Sequence, residues 1–248
     1  MELYEHRKTI VASGRFKDYR RLILEDVWGR LDGAGLRPLC FLNVLIGGVP
    51  EETHTFIGYP SWDDWQRGQE IMTGVGDDAG AARRNVRREI VLDEEVRPMI
   101  AFSGRPLPET PLEDRRPLYG LRRWMIDPAQ WEHFTDLSAN GIWPAQDAMG
   151  HRVLGQFRTA ALTDPLEVLN LPGYHSVGHW HETKSTLDPA SGVSEELRQR
   201  LAAAGDERSG LIRRSWIQLA NAHWPGQPFM EIRDGIPVGD HPAHDPGG

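Results

Sequence analysis

The chain repeats itself. Each position between 3 and 65 was compared with the one 115 residues further on. Leu3, Tyr4, Arg7, Leu22, Trp28, Gly35, Arg37, Leu39, Glu52, Gly58, Tyr59, Ser61 and Trp65 recur as Leu118, Tyr119, Arg122, Leu137, Trp143, Gly150, Arg152, Leu154, Glu167, Gly173, Tyr174, Ser176 and Trp180. Those 13 pairs, found without a gap, already exceed the roughly 4 that average composition gives by chance. A duplicated chain is tightly constrained: the fold of one half must exist twice and must bury its apolar face against its own copy.

The local signals agree between the copies. Leu3 to Val11 and Leu118 to Ile126 read as extended segments. Each runs into apolar residues at helical spacing, Phe16, Tyr19, Ile23 and Val27 in the first half and Trp131, Phe134 and Leu137 in the second. Gly35 and Gly150 are placed to end those helices, since glycine accepts the positive φ that closes a helix. Pro144 is expected to bend or shorten the second helix. Strands follow at 37 to 46 and 152 to 162, then at 53 to 59 and 166 to 174. Ser61 and Ser176 come next as helix caps, with Trp65 and Trp180 four residues on and facing inward. Final strands are expected at 95 to 103 and 211 to 219.

The order is β-α-β-β-α-β, twice: an α+β chain of tandem ferredoxin-like units. In each unit the helices cover one sheet face, and the second unit can cover the other. The expected divisions are residues 1–115, residues 116–230, and a Gly-, Pro-, Asp- and His-rich tail at 231–248 that is expected to be partly disordered. The polar connection Glu109 to Arg115 carries the boundary.

Bulk properties narrow the partners. Net charge is −8, which opposes nucleic acid because phosphate binding needs a basic face. No apolar run approaches the roughly 20 residues that span a bilayer, so membrane insertion is not expected. Cys40 is the only cysteine, which rules out an intrachain disulfide and suits a reducing compartment. Together with an amino-terminal stretch that lacks signal-peptide character, this points to a cytoplasmic protein. Walker loops, dinucleotide fingerprints, zinc-protease helices and nucleophile elbows are all missing.

Leu3-Tyr4-Glu5-His6-Arg7 and Gly58-Tyr59-Pro60-Ser61-Trp62-Asp63-Asp64-Trp65, the second echoed at 173 to 180, resemble the opening strand and the third-strand junction of the NIPSNAP family. That family lies in the dimeric α-β barrel superfamily. The resemblance implies two ferredoxin-like sheets packed face to face into a barrel, within one chain or across a homodimer. Related barrels include cofactor-independent oxygenases, small lactone isomerases and haem enzymes, so fold analogy does not choose a reaction.

Chemistry is sought where the copies disagree. His6 aligns with Leu121 and His54 with Leu169; in the strand order 4-1-3-2 the two imidazoles share neighbouring central strands and form a candidate catalytic acid-base pair. Arg7 and Arg122 sit in strands expected to be buried, where a guanidinium needs a partner. Glu5, Glu52 and Glu167 are the candidates, with an anionic substrate as the alternative. His151 replaces Leu36 at a strand start and is able to reach a barrel mouth. His175 and His179 have helical spacing for a metal, but Ser176 as cap leaves His175 outside the helix, so no metal is expected, and His179 is read as a cap or a pocket residue. Among nine tryptophans, Trp62, Trp124, Trp216 and Trp224 do not recur and are candidates for an aromatic-binding cavity. The expected substrate-binding set is Tyr4, Arg7, Tyr59, Arg122, Trp124, His151, His179 and Trp216.

These readings converge on a small-molecule enzyme, a tailoring enzyme of specialised metabolism acting on an apolar or aromatic metabolite by acid-base or oxygenase chemistry. No cofactor is expected, with haem the minor possibility. The alternative is a non-catalytic ligand-binding or accessory protein.

Overall fold

A computed structural model describes residues 2–75, 80–102, 104–107, 110–227, 230–233 and 236–239. Of the expected linker and tail, Glu109, 234–235 and 240–248 lie outside the described residues, as does Ser103 at the end of an expected strand.

Eight antiparallel strands close into one barrel within a single chain. They are β1 (Leu3–Val11), β2 (Arg37–Ile46), β3 (Glu52–Tyr59), β4 (Val91–Ala101), β5 (Leu118–Ile126), β6 (Arg152–Thr159), β7 (Leu166–Tyr174) and β8 (Ile212–His223), in the order β1-β3-β2-β8-β5-β7-β6-β4. Each half keeps the 4-1-3-2 order, and the halves join at two seams. At one, Phe41 to Val44 pair with His223 to Ala220; at the other, Met99 to Ala101 pair with Thr159 to Phe157. Closure removes the sheet edges that would otherwise invite a second chain. A short hairpin, Met230–Arg233 with Ile236–Gly239, follows the last barrel strand.

The helices pack outside the barrel. The first-half set is α1 (Phe16–Arg21), α2 (Trp28–Gly33), α3 (Trp62–Thr73) and α4 (Gly80–Ile90); the second-half set is α5 (Trp131–Asp136), α6 (Trp143–Ala148), α7 (Val177–Glu182) and α8 (Glu195–Gly210). No described helix is long and apolar enough to cross a membrane. Gly35 and Gly150 take φ of 74° and 75° and close α2 and α6 as expected. The side chains of Ser61 and Ser176 accept the N–H of Asp64 and His179, capping α3 and α7.

The role assigned to Pro144 needs correcting. The second helix is interrupted by a π-helical turn at Leu137–Ile142, upstream of the proline, and the first helix carries the same interruption at Leu22–Val27 without one. The turn is shared by both repeats and so does not depend on Pro144, which lies just after it in the continuous helical run 131–148.

Strand alternation sorts side chains into two compartments. Inside the barrel lie Tyr4, Cys40, Leu42, Phe56, Met99, Tyr119, Leu121, Phe157, Leu169, Leu171 and Ala220, all buried. Outside, between sheet and helices, lie Tyr19, Ile23, Val27, Phe41, Ile57 and Met72 in the first half, and Trp124, Phe134, Ile142 and Trp143 in the second.

Candidate functional site

Two places hold polar groups that ordinary packing would not put there: the barrel interior, and the space between the second sheet and its helices.

Inside the barrel, His6 on β1 and His54 on β3 do meet. His6 Nε2 lies 2.8 Å from His54 Nδ1, and His54 Nε2 lies 2.9 Å from Glu52 Oε1. A carboxylate can only accept, so His54 carries its proton on Nε2, His54 Nδ1 accepts from His6 Nε2, and His6 Nδ1 is left bare. That atom is buried and has no partner. Burial opposes the charge on Glu52, but hydrogen bonds from His54, Gln218 and the Val49 N–H outweigh it and bring its pKa down to about 2. Burial depresses both histidines, His6 further because His54 lies against it, so both are neutral. The chain is enclosed: His6 stacks on Phe56 at 4.6 Å with its ring tilted only 5°. Tyr4 lies deeper in the same interior, edge-on to Phe157 at 5.1 Å. Trp216 faces the barrel mouth, where the Arg123 guanidinium lies 4.6 Å from its ring centre.

Arg7 points the other way, into the first sheet–helix layer. Its Nε donates to Glu5 Oε1 at 2.7 Å, its Nη1 to Glu94 Oε2 at 2.5 Å, and its Nη2 to Gln69. Glu5 Oε2 in turn accepts from Trp65 Nε1 at 2.8 Å and from Gln69 Nε2. Burial works against the Arg7 charge, but the two carboxylates outweigh it and raise its pKa. Of the candidate partners only Glu5 is used. Glu52 faces the interior, and Glu167 joins Arg97 and Arg123 there because its position in β7 puts it on the opposite sheet face from Arg122. Tyr59 belongs to the same filled layer, its ring against Gly68, where an added Cβ would lie 2.4 Å from the ring.

The equivalent layer of the second half is open. A cavity of about 350 Å³ is lined by Arg122 and Trp124 of β5, Asn170, Pro172 and Tyr174 of β7, Ile217 of β8, Gln146, His151, Trp180, Thr183, Lys184 and Arg208. A space of this size takes a small ligand. His151 is 4% exposed and neither of its ring nitrogens has a partner; Asn170 Oδ1 is also buried and unpartnered. Burial, with help from His179 and Arg116, brings the His151 pKa down to about 3, so it is neutral. Among the described residues no carboxylate pairs with Arg122, Lys184 or Arg208. Arg208 bonds Ser138 Oγ at 3.0 Å and lies 5.1 Å from the Trp124 ring centre, while Lys184 Nζ lies 3.8 Å from that of Trp180. Burial and the neighbouring Arg122 lower the Arg208 pKa to about 10.

Arg122, Trp124 and His151 therefore come together, and His179 stands behind them. His179 Nδ1 accepts the His175 N–H at 3.0 Å and its Nε2 reaches the Met149 carbonyl at 2.8 Å, which ties α7 to the end of α6. Sequence reasoning missed Tyr174, Asn170, Trp180, Lys184 and Arg208. Tyr174 and Trp180 were legible as repeat partners of Tyr59 and Trp65, and Lys184 as the cation replacing Gln69. Nothing in the repeat marks Arg208. The other tryptophans that do not recur lie elsewhere: Trp62 is exposed and Trp224 packs on Trp28 and Tyr119.

The fold is that of a dimeric α-β barrel, with both ferredoxin-like units in one chain. It resembles a putative monooxygenase from Lactobacillus acidophilus (TM-score 0.60, 9% identity, 89% of this chain and 93% of that one). It also resembles an anthrone oxidase-like protein (TM-score 0.51, 13% identity, 90% of this chain and 91% of that one). A NIPSNAP family protein from Agrobacterium tumefaciens aligns with 45% of this chain and 99% of its own length, at 20% identity and TM-score 0.33. At these identities the first two likenesses establish the fold alone. No protein-family model matches the chain. No curated protein matches it in sequence.

Proposed function

We propose that the protein is a small-molecule enzyme that takes an aromatic metabolite into the second-half cavity and removes a proton from it, with His151 as the base, in a tailoring step of specialised metabolism. The observation that carries this reading is His151 itself, buried with both nitrogens unpartnered on the wall of a ligand-sized space. An unsatisfied buried polar group costs about 1–3 kcal/mol, and a ligand hydroxyl or acidic C–H facing the imidazole supplies the missing partner. Trp124, Trp180 and Tyr174 give the flat apolar walls that an aromatic ring packs against. The neutral imidazole accepts the proton as the ligand anion forms beside it, that new ion pair offsetting the burial that holds the His151 pKa down, and the cations around the cavity stabilise the anion. The oxygenase and oxidase names among the structural neighbours agree with such a carbanion or phenolate as the reacting species.

The reaction needs no cofactor to this point. Haem is the less favoured option, because a porphyrin with its propionates is large for a cavity of about 350 Å³. A second acid-base device is the Glu52–His54–His6 chain, favoured by the bare Nδ1 at its end; its enclosure by Phe56 puts it second.

The test is deuterium exchange. Hydroxylated naphthalenes and anthrones incubated with the protein in D2O are expected to exchange their acidic ring hydrogens, followed by proton NMR, and His151→Leu is expected to stop the exchange while preserving the fold. Exchange unchanged in His151→Leu would remove His151 from the reaction.

A further inference from the structure

We propose that the second-half cavity recognises a carboxylate on its aromatic ligand, and that this carboxylate takes the place the Glu5 carboxylate fills in the first half. The inference rests on the cavity being the ligand site, as proposed above.

Aligned on itself at its offset of 115, the repeat keeps its donors and loses their acceptor. In the first half, one carboxylate organises the sheet–helix layer: Glu5 receives the Arg7 guanidinium, the Trp65 indole N–H and the Gln69 amide. In the second half Arg7 becomes Arg122, Trp65 becomes Trp180 and Gln69 becomes Lys184, so the donors are kept and one gains a full charge. The acceptor is lost, because Glu5 becomes Gly120. At Gly120 an added Cβ would lie 3.1 Å from side-chain atoms of both Ile217 and Pro172, so those two side chains close over the glycine where the first half has the Glu5 side chain, and both of them line the cavity. The donor set thus lines a cavity whose lining residues include no carboxylate.

Two further observations point the same way. The chain as a whole is acidic, with 36 Asp and Glu against 28 Lys and Arg, yet Arg122, Lys184 and Arg208 line one cavity with no carboxylate paired to any of them among the described residues. Asn170 Oδ1 and both nitrogens of His151 are buried beside them without partners. An arginine with an indole N–H and an ammonium suits a planar carboxylate, and the indole and phenol rings beyond suit the aromatic body that carries it.

The experiment compares two probes of nearly equal shape, 2-naphthoate and 2-naphthamide, titrated into the full chain and read by calorimetry and by quenching of tryptophan fluorescence. The charged probe is expected to bind about 10-fold or more tightly, the worth of one charge-assisted hydrogen bond. Lys184→Gln and Arg122→Gln are each expected to erase most of that preference while leaving naphthamide binding in place. Lys184 is exposed, so its variant keeps the test open if Arg122→Gln fails to fold. Equal affinity for the two probes would overturn the carboxylate inference and leave the cavity reading standing, as would naphthoate binding that neither substitution alters. Failure of both probes to bind would overturn the two together.

Discussion

The two sheet–helix layers of this protein descend from one design and have been put to opposite uses. In the first, Arg7 is locked between Glu5 and Glu94, Gln69 and Trp65 bridge to the same carboxylate, and the ring of Tyr59 is pressed against Gly68, so the layer is full. In the second, the arginine, tryptophan and tyrosine remain as Arg122, Trp180 and Tyr174, while the carboxylate and the Leu36 side chain have become Gly120 and His151, and a cavity of about 350 Å³ results. A buried charge must be compensated. The first half compensates buried Arg7 from within, whereas in the second Arg122 is half-buried and has no carboxylate partner among the described residues, the position proposed above for a ligand.

The strongest way to break this comparison is to remove the first-half acid. Glu5→Ala takes from buried Arg7 one of its two carboxylates, and from Trp65 and Gln69 their shared acceptor, and is expected to cost about 3–5 kcal/mol, the scale for breaking a buried ion pair. Arg122→Met, at a half-buried position with no carboxylate partner to strand among the described residues, is expected to change stability by less than about 1 kcal/mol. Urea denaturation of both variants decides it, and equal losses would erase the distinction between filled and open layers.

The barrel interior offers a second contrast. His54→Leu leaves both Glu52 and His6 without their shared partner and is expected to cost about 1–3 kcal/mol. The double variant His6→Leu with His54→Leu reproduces the second half, where Leu121 and Leu169 stand, and is expected to recover much of that loss. It is also expected to keep the deuterium exchange assigned to His151, so loss of exchange in the folded double variant would move the chemistry into the barrel.

His151→Leu restores the first-half residue, Leu36. Removing a buried group without partners is expected to stabilise the fold by about 1 kcal/mol, read as a raised melting temperature, in the same variant that loses exchange. A fall in stability would mean that His151 has a structural bond in solution.

A last contrast concerns pH. Burial puts the folded-state pKa of His151 at about 3, below the ordinary value of 6.5. The unfolded chain therefore binds the extra proton first, so this contribution to stability is complete above pH 6.5 and is lost as pH falls toward about 3. Stability curves of wild type and His151→Leu are expected to converge above pH 6.5 in slope and to separate below it, with the variant less sensitive to acid.

Much of the fold was legible because the repeat reports the same constraint twice. Leu3 to Val11 and Leu118 to Ile126 match the observed strands residue for residue, and Gly35 with Gly150, Ser61 with Ser176, marked helix ends that the structure places there. The π-turns were not legible, since a π-turn leaves the apolar spacing almost unchanged and Pro144 offered a more obvious, mistaken cause. Of the site, His6 with His54 could be read from strand order alone, because neighbouring central strands put alternate residues on one face. Arg208 could not. It arrives from α8, whose approach to Trp124 and Ser138 is settled by helix packing across residues with no internal echo.

What the sequence determined by itself was the unit, its duplication, and the positions where the copies part: His6, His54, His151 and Gly120 are visible as broken symmetries before any coordinate is known. Only the tertiary structure decided what those differences mean. Alternation along a strand says that Glu5 and His6 face opposite ways, but which way is barrel and which is helix layer depends on how the sheet closes. Closure sends the histidine pair into a packed interior and sets Arg122, His151 and Lys184 around open space. The energy of a lone arginine or an unpartnered imidazole depends on what lies across a gap of a few ångströms, and that is a property of the packed chain.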